Sequence, residues 1–127
     1  MGLSAFLAVG VGAAIGAWGR WALGLWLNHV YPAIPIGTLA ANLGGGYLIG
    51  LVLAFFAQHP GLSPEWRLLI VTGFLGGLTT FSTFSAEIFT LFSRAQVAMG
   101  LAAIGFHVAG SLAMTGLGVL TFKLIKG

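Results

Sequence analysis

Four long apolar runs constrain this chain more than any motif within it. They cover about residues 3–27, 37–57, 66–92 and 95–125, and together they take up most of the 127 residues. About 20 apolar residues in a helix cross a hydrocarbon core of about 30 Å, so every run is long enough to span. At that depth the backbone must satisfy its own polar groups, which restricts spanning segments to helices or a closed barrel. The runs show no strand-like alternation, and only 6% of the residues are charged, against about 25% in soluble domains. The expected fold is an all-α membrane protein, one four-helix transmembrane domain passing repeatedly through the lipid bilayer.

The remaining composition excludes several function classes. The absence of cysteine removes disulfides and thiolate metal sites. Five basic residues scattered at span ends form no patch for nucleic acid. The N-terminus lacks a basic n-region, and Phe6 stands where a myristoylation signal needs Ser or Thr, so the first run is expected to be an uncleaved span. With four spans, the N-terminus, the second loop and the C-terminus share one side, which carries Arg67, Lys123 and Lys126 against Glu65. The other side has Arg20 and Arg94. Orientation follows the Lys/Arg imbalance, which here is slight, so the charges allow insertion either way. Two oppositely oriented copies would supply the inverted repeat that larger transporters carry in one chain.

The third run is the unusual one. Gly73, Gly76 and Gly77 are followed at once by Thr79, Thr80, Phe81, Ser82, Thr83, Phe84 and Ser85. Glycine lowers helix propensity by about 1 kcal/mol relative to alanine, and broken helices are where membrane proteins bind ions. The glycines therefore predict an unwound stretch from Gly73 to Thr79, with freed carbonyls near Gly76 and Thr79 able to ligate a hard monovalent cation. Phe81 and Phe84, three apart, share a face, as do Ser82 and Ser85. Two phenylalanines at this spacing are ordinarily core packing. Interleaved with hydroxyls, they also suit a dehydrated anion, since a phenyl ring has a positive edge.

The other spans carry isolated polar residues. Gly12 and Gly16 in the first form a small-xxx-small pair that admits a close neighbour. Arg20 beside Trp18, Trp21 and Trp26 reads either as an interfacial snorkel or as a cation that draws anions to a pore mouth. Asn42, followed by Gly44, Gly45 and Gly46, either bonds a neighbouring helix or offers its NH2 donors to an anion. Ser63 with Pro64 fits a helix start. Glu87 is either an embedded functional acid or an interfacial partner of a base such as Arg94. His107, Ser111 and Thr115 make one polar stripe on the fourth span, for interhelical bonding or for lining the same path. His59 in the second loop reads as a surface residue.

No pair of carboxylates, cysteine nucleophile or base-partnered serine stands at a recognisable spacing, so an enzyme is not expected. The string Gly76-Gly77-Leu78-Thr79-Thr80-Phe81-Ser82-Thr83-Phe84-Ser85, with Gly16-Ala17 and Arg20-Trp21 in the first span and Gly37-Thr38, Asn42 and Gly45 in the second, resembles the Fluc (CrcB) family of fluoride channels. The resemblance extends over all four spans. It implies an antiparallel, dual-topology homodimer in the bacterial inner membrane that exports fluoride passively, with a sodium ion at the dimer centre. By the same resemblance Phe81 and Phe84 are ring-edge fluoride contacts and Asn42 supports the pathway. Ser82, Thr83, Ser85 and Thr115 supply a hydroxyl track, to which the stripe adds Ser111. Gly76 and Thr79 hold sodium through backbone carbonyls, and Arg20 and Glu87 stand near the vestibules. Gly46 and Tyr47 depart from the small polar residue and Phe often found after the Asn. The alternative is a small dual-topology, proton-coupled multidrug exporter, which is expected to carry a carboxylate in its first span. The only charged side chain in this first span is Arg20.

Overall fold

A computed structural model describes residues 2–127. Its helices are α1 (Leu3–Leu27), α2 (Ile36–Ala57), α3 (Pro64–Arg67), a π-helical segment (Leu68–Leu75), α4 (Gly76–Leu78), α5 (Phe81–Ser93) and α6 (Val97–Lys126). The run from α3 to α5 is one membrane crossing in pieces, so the described residues include four helical stretches long and apolar enough to span.

Local chemistry sets the ends of these helices. Asn28 Oδ1 accepts from the Thr38 backbone N–H at 3.2 Å, satisfying one of the donors that a helix N-terminus leaves free. The third crossing starts as the sequence predicts, with Ser63 as N-cap and Pro64 in the first turn. The fourth begins at Val97, two residues later than the apolar run suggests. Ala95 takes φ of 60° in the tight turn, and Gln96 N–H returns to the Leu91 carbonyl at 2.9 Å. A left-handed residue after the last turn is a common helix terminator.

Glycine faces set how the spans pack. A methyl group on Gly12 or Gly16 of α1 would strike backbone atoms of Leu69 and Phe74 in the π-helical segment, and one on Gly77 the Ala13 carbonyl. On α2, Gly50 meets the Thr115 backbone of α6, and Gly118 of α6 meets Tyr47 and Gly50 in return. Hence α1 packs chiefly on the π-helical segment and α4, and α2 on α6, while α5 turns to α6. The third crossing changes neighbours at its break. Two apolar clusters lie on either side of it, one around Ala41, Leu75 and Leu78 and one around Ile34, Phe84, Ile88, Leu91 and Ala103.

The break is shorter than the glycines predict, and it is placed differently. Gly73, Gly76 and Gly77 all remain helical. The non-helical residues are Thr79 (φ −89°, ψ 155°) and Thr80 (φ −149°, ψ 125°). Gly73 and Gly77 serve close approach to α1, while Gly76 borders the groove described below; the π-helical turn that leads into them is a feature often found near functional sites.

Candidate functional site at the helix break

Two extended residues inside a membrane helix expose peptide groups that hydrocarbon cannot satisfy, at a cost of several kcal/mol each, roughly, if left unpaired. Threonine handles part of this locally. Thr79 donates from both its backbone N–H (3.0 Å) and its hydroxyl (2.9 Å) to the Leu75 carbonyl, closing α4. Thr80 caps α5, its Oγ1 accepting from Thr83 N–H at 3.1 Å.

The rest comes from other spans. Asn42 on α2 grips the Thr80 peptide groups: its Oδ1 accepts from Thr80 N–H at 2.7 Å and its Nδ2 donates to the Thr80 carbonyl at 3.1 Å. The second Nδ2 hydrogen goes to His107 Nδ1 on α6, at 3.0 Å. From α1, Arg20 Nε donates to the Gly77 carbonyl at 3.1 Å. That carbonyl would accept from residue 81 in an unbroken helix. Arg20 is thus a cap on the broken end. A charge-assisted bond to a carbonyl contributes about 1.5–3 kcal/mol. Replacing Arg20 with methionine should lower the free energy of unfolding in detergent by about 1–3 kcal/mol, measured by denaturant titration; an unchanged midpoint would show that the cap contributes nothing.

Around the break lies an open groove of about 520 Å³, lined by Asn42, Gly76, Thr79, Thr80, Phe81, Phe84, His107 and Ser111 among others. Phe81 and Phe84 meet edge-on, centroids 5.4 Å apart at 62°. They are unlike in setting: Phe84 is 7% exposed and Phe81 76%. Phe84 also lies against the His107 ring, at 4.6 Å. Ser82 and Ser85 are exposed on the outer face of the single chain. Ser82 Oγ lies 3.3 Å from Thr80 Oγ1, and Ser85 lines an apolar cavity beside Phe81, Phe84 and Phe89.

The polar stripe of α6 divides. Ser111 lines the groove. Thr115 bonds instead to the Gly46 carbonyl at 2.9 Å and to Ser111 O at 3.0 Å, so its hydroxyl ties α6 to α2. The amide of Asn42 is likewise committed, and of its two readings the structure displays helix bonding.

A second polar region lies toward the α1–α2 loop. A cavity of about 280 Å³ joins Arg20, Trp21, Asn28, Thr38 and Thr83, and one of about 410 Å³ joins Thr83, Glu87, Thr90 and Arg94. Thr83 borders both. Glu87 accepts from Thr38 Oγ1 at 2.7 Å, with Thr38 only 4% exposed. Glu87 therefore takes a hydroxyl partner within the bundle, while Arg94 lines the same cavity. Nothing in the spacing singles out Thr38 except that it stands one helical turn before Asn42, on the same face.

Among the described residues there is no group of His, Asp or Glu side chains arranged to hold a metal. The oxygen donors available to a cation at the groove are the Gly76 and Thr79 carbonyls and the neighbouring hydroxyls. Gly76 and Thr79 both line the groove, at the end of a helix whose dipole is negative there. That donor set suits a hard monovalent cation and does not suit zinc or iron.

Comparison with known proteins gives this arrangement relatives. The family model described as "CrcB-like protein, Camphor Resistance (CrcB)" matches residues 7–119. A "Fluoride-specific ion channel FluC" from Thiobacillus denitrificans is 61% identical over 124 residues, 98% of this chain and 100% of the relative. A protein of the same name from Pseudomonas putida is 58% identical over 98% of both chains. One from Chromohalobacter salexigens is 62% identical over 94% of this chain and 91% of its own. The matched residues run from α1 into α6 and include the whole clamp around Thr80, and by that extent and identity the chain belongs to the CrcB family.

Proposed function

We propose that this multi-pass membrane protein is a fluoride-specific channel, passive and not an enzyme, that lets fluoride leave the cytoplasm down its gradient. The observation that carries the reading is the helix break itself. It starts α5 so that the Phe81–Phe84 ring pair borders one open groove together with Thr79, Thr80 and Ser111, in a chain about 60% identical to proteins named as fluoride channels.

A small, strongly hydrated anion needs replacement donors when it sheds water. Ring edges at Phe81 and Phe84 offer partial positive charge, and Ser82, Thr83, Ser85 and Ser111 offer hydroxyls. Thr115 and Asn42 belong to this pathway as its frame, since their donors are engaged on backbone and on His107. Arg20 and Glu87 flank the second polar region as a vestibule, with Arg20 raising local anion concentration.

The pathway in one chain is half-built, because Phe81, Ser82 and Ser85 point out of the bundle. A second copy in the opposite orientation would enclose it, an arrangement the near-balance of Lys and Arg on the two sides permits. Sodium at the centre of that homodimer would find carbonyls of Gly76 and Thr79 from each chain; its charge would fix the two breaks against each other.

Phe81→Ile and Phe84→Ile tests this reading, because isoleucine keeps an apolar side chain and removes the ring edge. Both substitutions should cut fluoride efflux from proteoliposomes by about tenfold or more, taking the ring contribution as about 1.5 kcal/mol, with the dimer intact by size-exclusion chromatography. Full conduction in both variants would remove the rings from the pathway.

A further inference from the structure

The clamp on Thr80 leaves Asn42 no freedom of orientation. An asparagine amide has one acceptor oxygen and one NH2 with two donors. Turning it over would set oxygen against the Thr80 carbonyl and NH2 against the Thr80 N–H, losing both bonds. With the amide so fixed, its second N–H points at His107 Nδ1, and only a lone pair on that nitrogen can receive it. His107 must therefore be neutral, with its proton on Nε2. The ring is 5% exposed, is flanked by Phe84, and its Nε2 has no partner among the described residues. Nδ1 is thus the ring's one hydrogen-bonding contact among the described residues. It links α6 through Asn42 to the peptide where the third crossing breaks.

We propose that His107 is a positioning residue: the Nδ1 lone pair of its neutral form holds the Asn42 amide, and through it the Thr80 peptide, in the geometry that starts α5 beside the groove. The flux readout of this role rests on the fluoride-channel reading above; the tautomer does not. A protonated His107 presents N–H to N–H and opposes the clamp. The Asn42–Thr80 pair is then left competing with its own neighbour.

Two isosteric substitutions separate the nitrogens. His107→Asn places a side-chain oxygen near the Nδ1 position, and His107→Gln places its polar atoms near Nε2. Loss of one buried acceptor partner corresponds to about tenfold or more in rate. We expect His107→Gln and His107→Leu to lower fluoride efflux by about that factor, and His107→Asn to retain the greater part of it. Nitrogen-15 NMR of the full-length protein in lipid supplies the second readout, with His29→Gln and His59→Gln introduced so that only His107 is observed. A bare Nδ1 and a protonated Nε2 are expected. A protonated Nδ1 would overturn the proposal whatever the flux, and so would equal efflux by the Asn, Gln and Leu variants. Should the parent protein itself pass no fluoride, the channel reading falls, and the tautomer still decides the positioning role.

Discussion

Asn42→Leu should abolish most fluoride efflux and also weaken the fold. The substitution conserves size approximately but strips the partners from Thr80 N–H, the Thr80 carbonyl and His107 Nδ1. Each buried polar group left unpaired costs about 1–3 kcal/mol. Allowing for the groups that the groove lets water reach, a loss of about 2–5 kcal/mol in unfolding free energy is expected. At about 1.4 kcal/mol per tenfold, the same loss at the break corresponds to roughly a hundredfold in flux. Asn42→Asp sharpens the test, since a carboxylate is nearly isosteric but only accepts. It keeps the Thr80 N–H bond and sets negative oxygen against the Thr80 carbonyl and the His107 lone pair. It should be about as damaging as leucine. Efflux followed with a fluoride electrode, beside chemical denaturation in detergent, checks both. Asn42→Asp with parental flux would mean that the amide donors do not hold the break.

Gly16→Ala should be the most destabilising single methyl addition on α1. Its new carbon would run into the Phe74 carbonyl and lie 2.7 Å from the Leu78 backbone nitrogen. Backbone cannot rotate away as a side-chain tip can, so α1 must move off the third crossing. Overpacking of this sort costs about 1–3 kcal/mol. The displacement also threatens the Arg20–Gly77 bond one turn further along. Gly19→Ala is the internal control, because its nearest neighbour would be Leu78 Cδ1 at an ordinary 3.6 Å. There the helix-propensity gain of up to about 1 kcal/mol should leave stability unchanged or raised. Equal destabilisation by the two alanines would contradict the packing described for α1.

These two positions show how differently sequence reports on packing and on polar networks. Gly12 and Gly16 announce a close helix neighbour by spacing alone, and the third crossing is that neighbour. The four spans follow from apolar length, to within a few residues at each end. Gly73, Gly76 and Gly77 predict an unwound backbone, yet all three stay helical because they too face close contacts or open groove. A glycine run signals either break or contact, and composition does not distinguish them. What decides is which residue has side-chain partners for an orphaned peptide, and those partners, Asn42 and Arg20, lie 38 and 57 residues away. Thr115 sits on the same helical stripe as Ser111 and His107, but its hydroxyl is drawn off by the Gly46 carbonyl that a glycine-lined approach brings near. Periodicity assigns a face; it does not assign the acceptor waiting there. The pairing of Glu87 with Thr38 is hidden for the same reason, since it joins two spans whose relative register no local pattern records.

The purified protein, reconstituted alone into liposomes loaded with equal fluoride and chloride and given no proton gradient, tests the central claim most directly. Rapid fluoride loss with chloride retained, at the same rate with or without a proton ionophore, is the predicted result. Equal loss of the two halides, or fluoride loss only when protons are driven across the membrane, would contradict it.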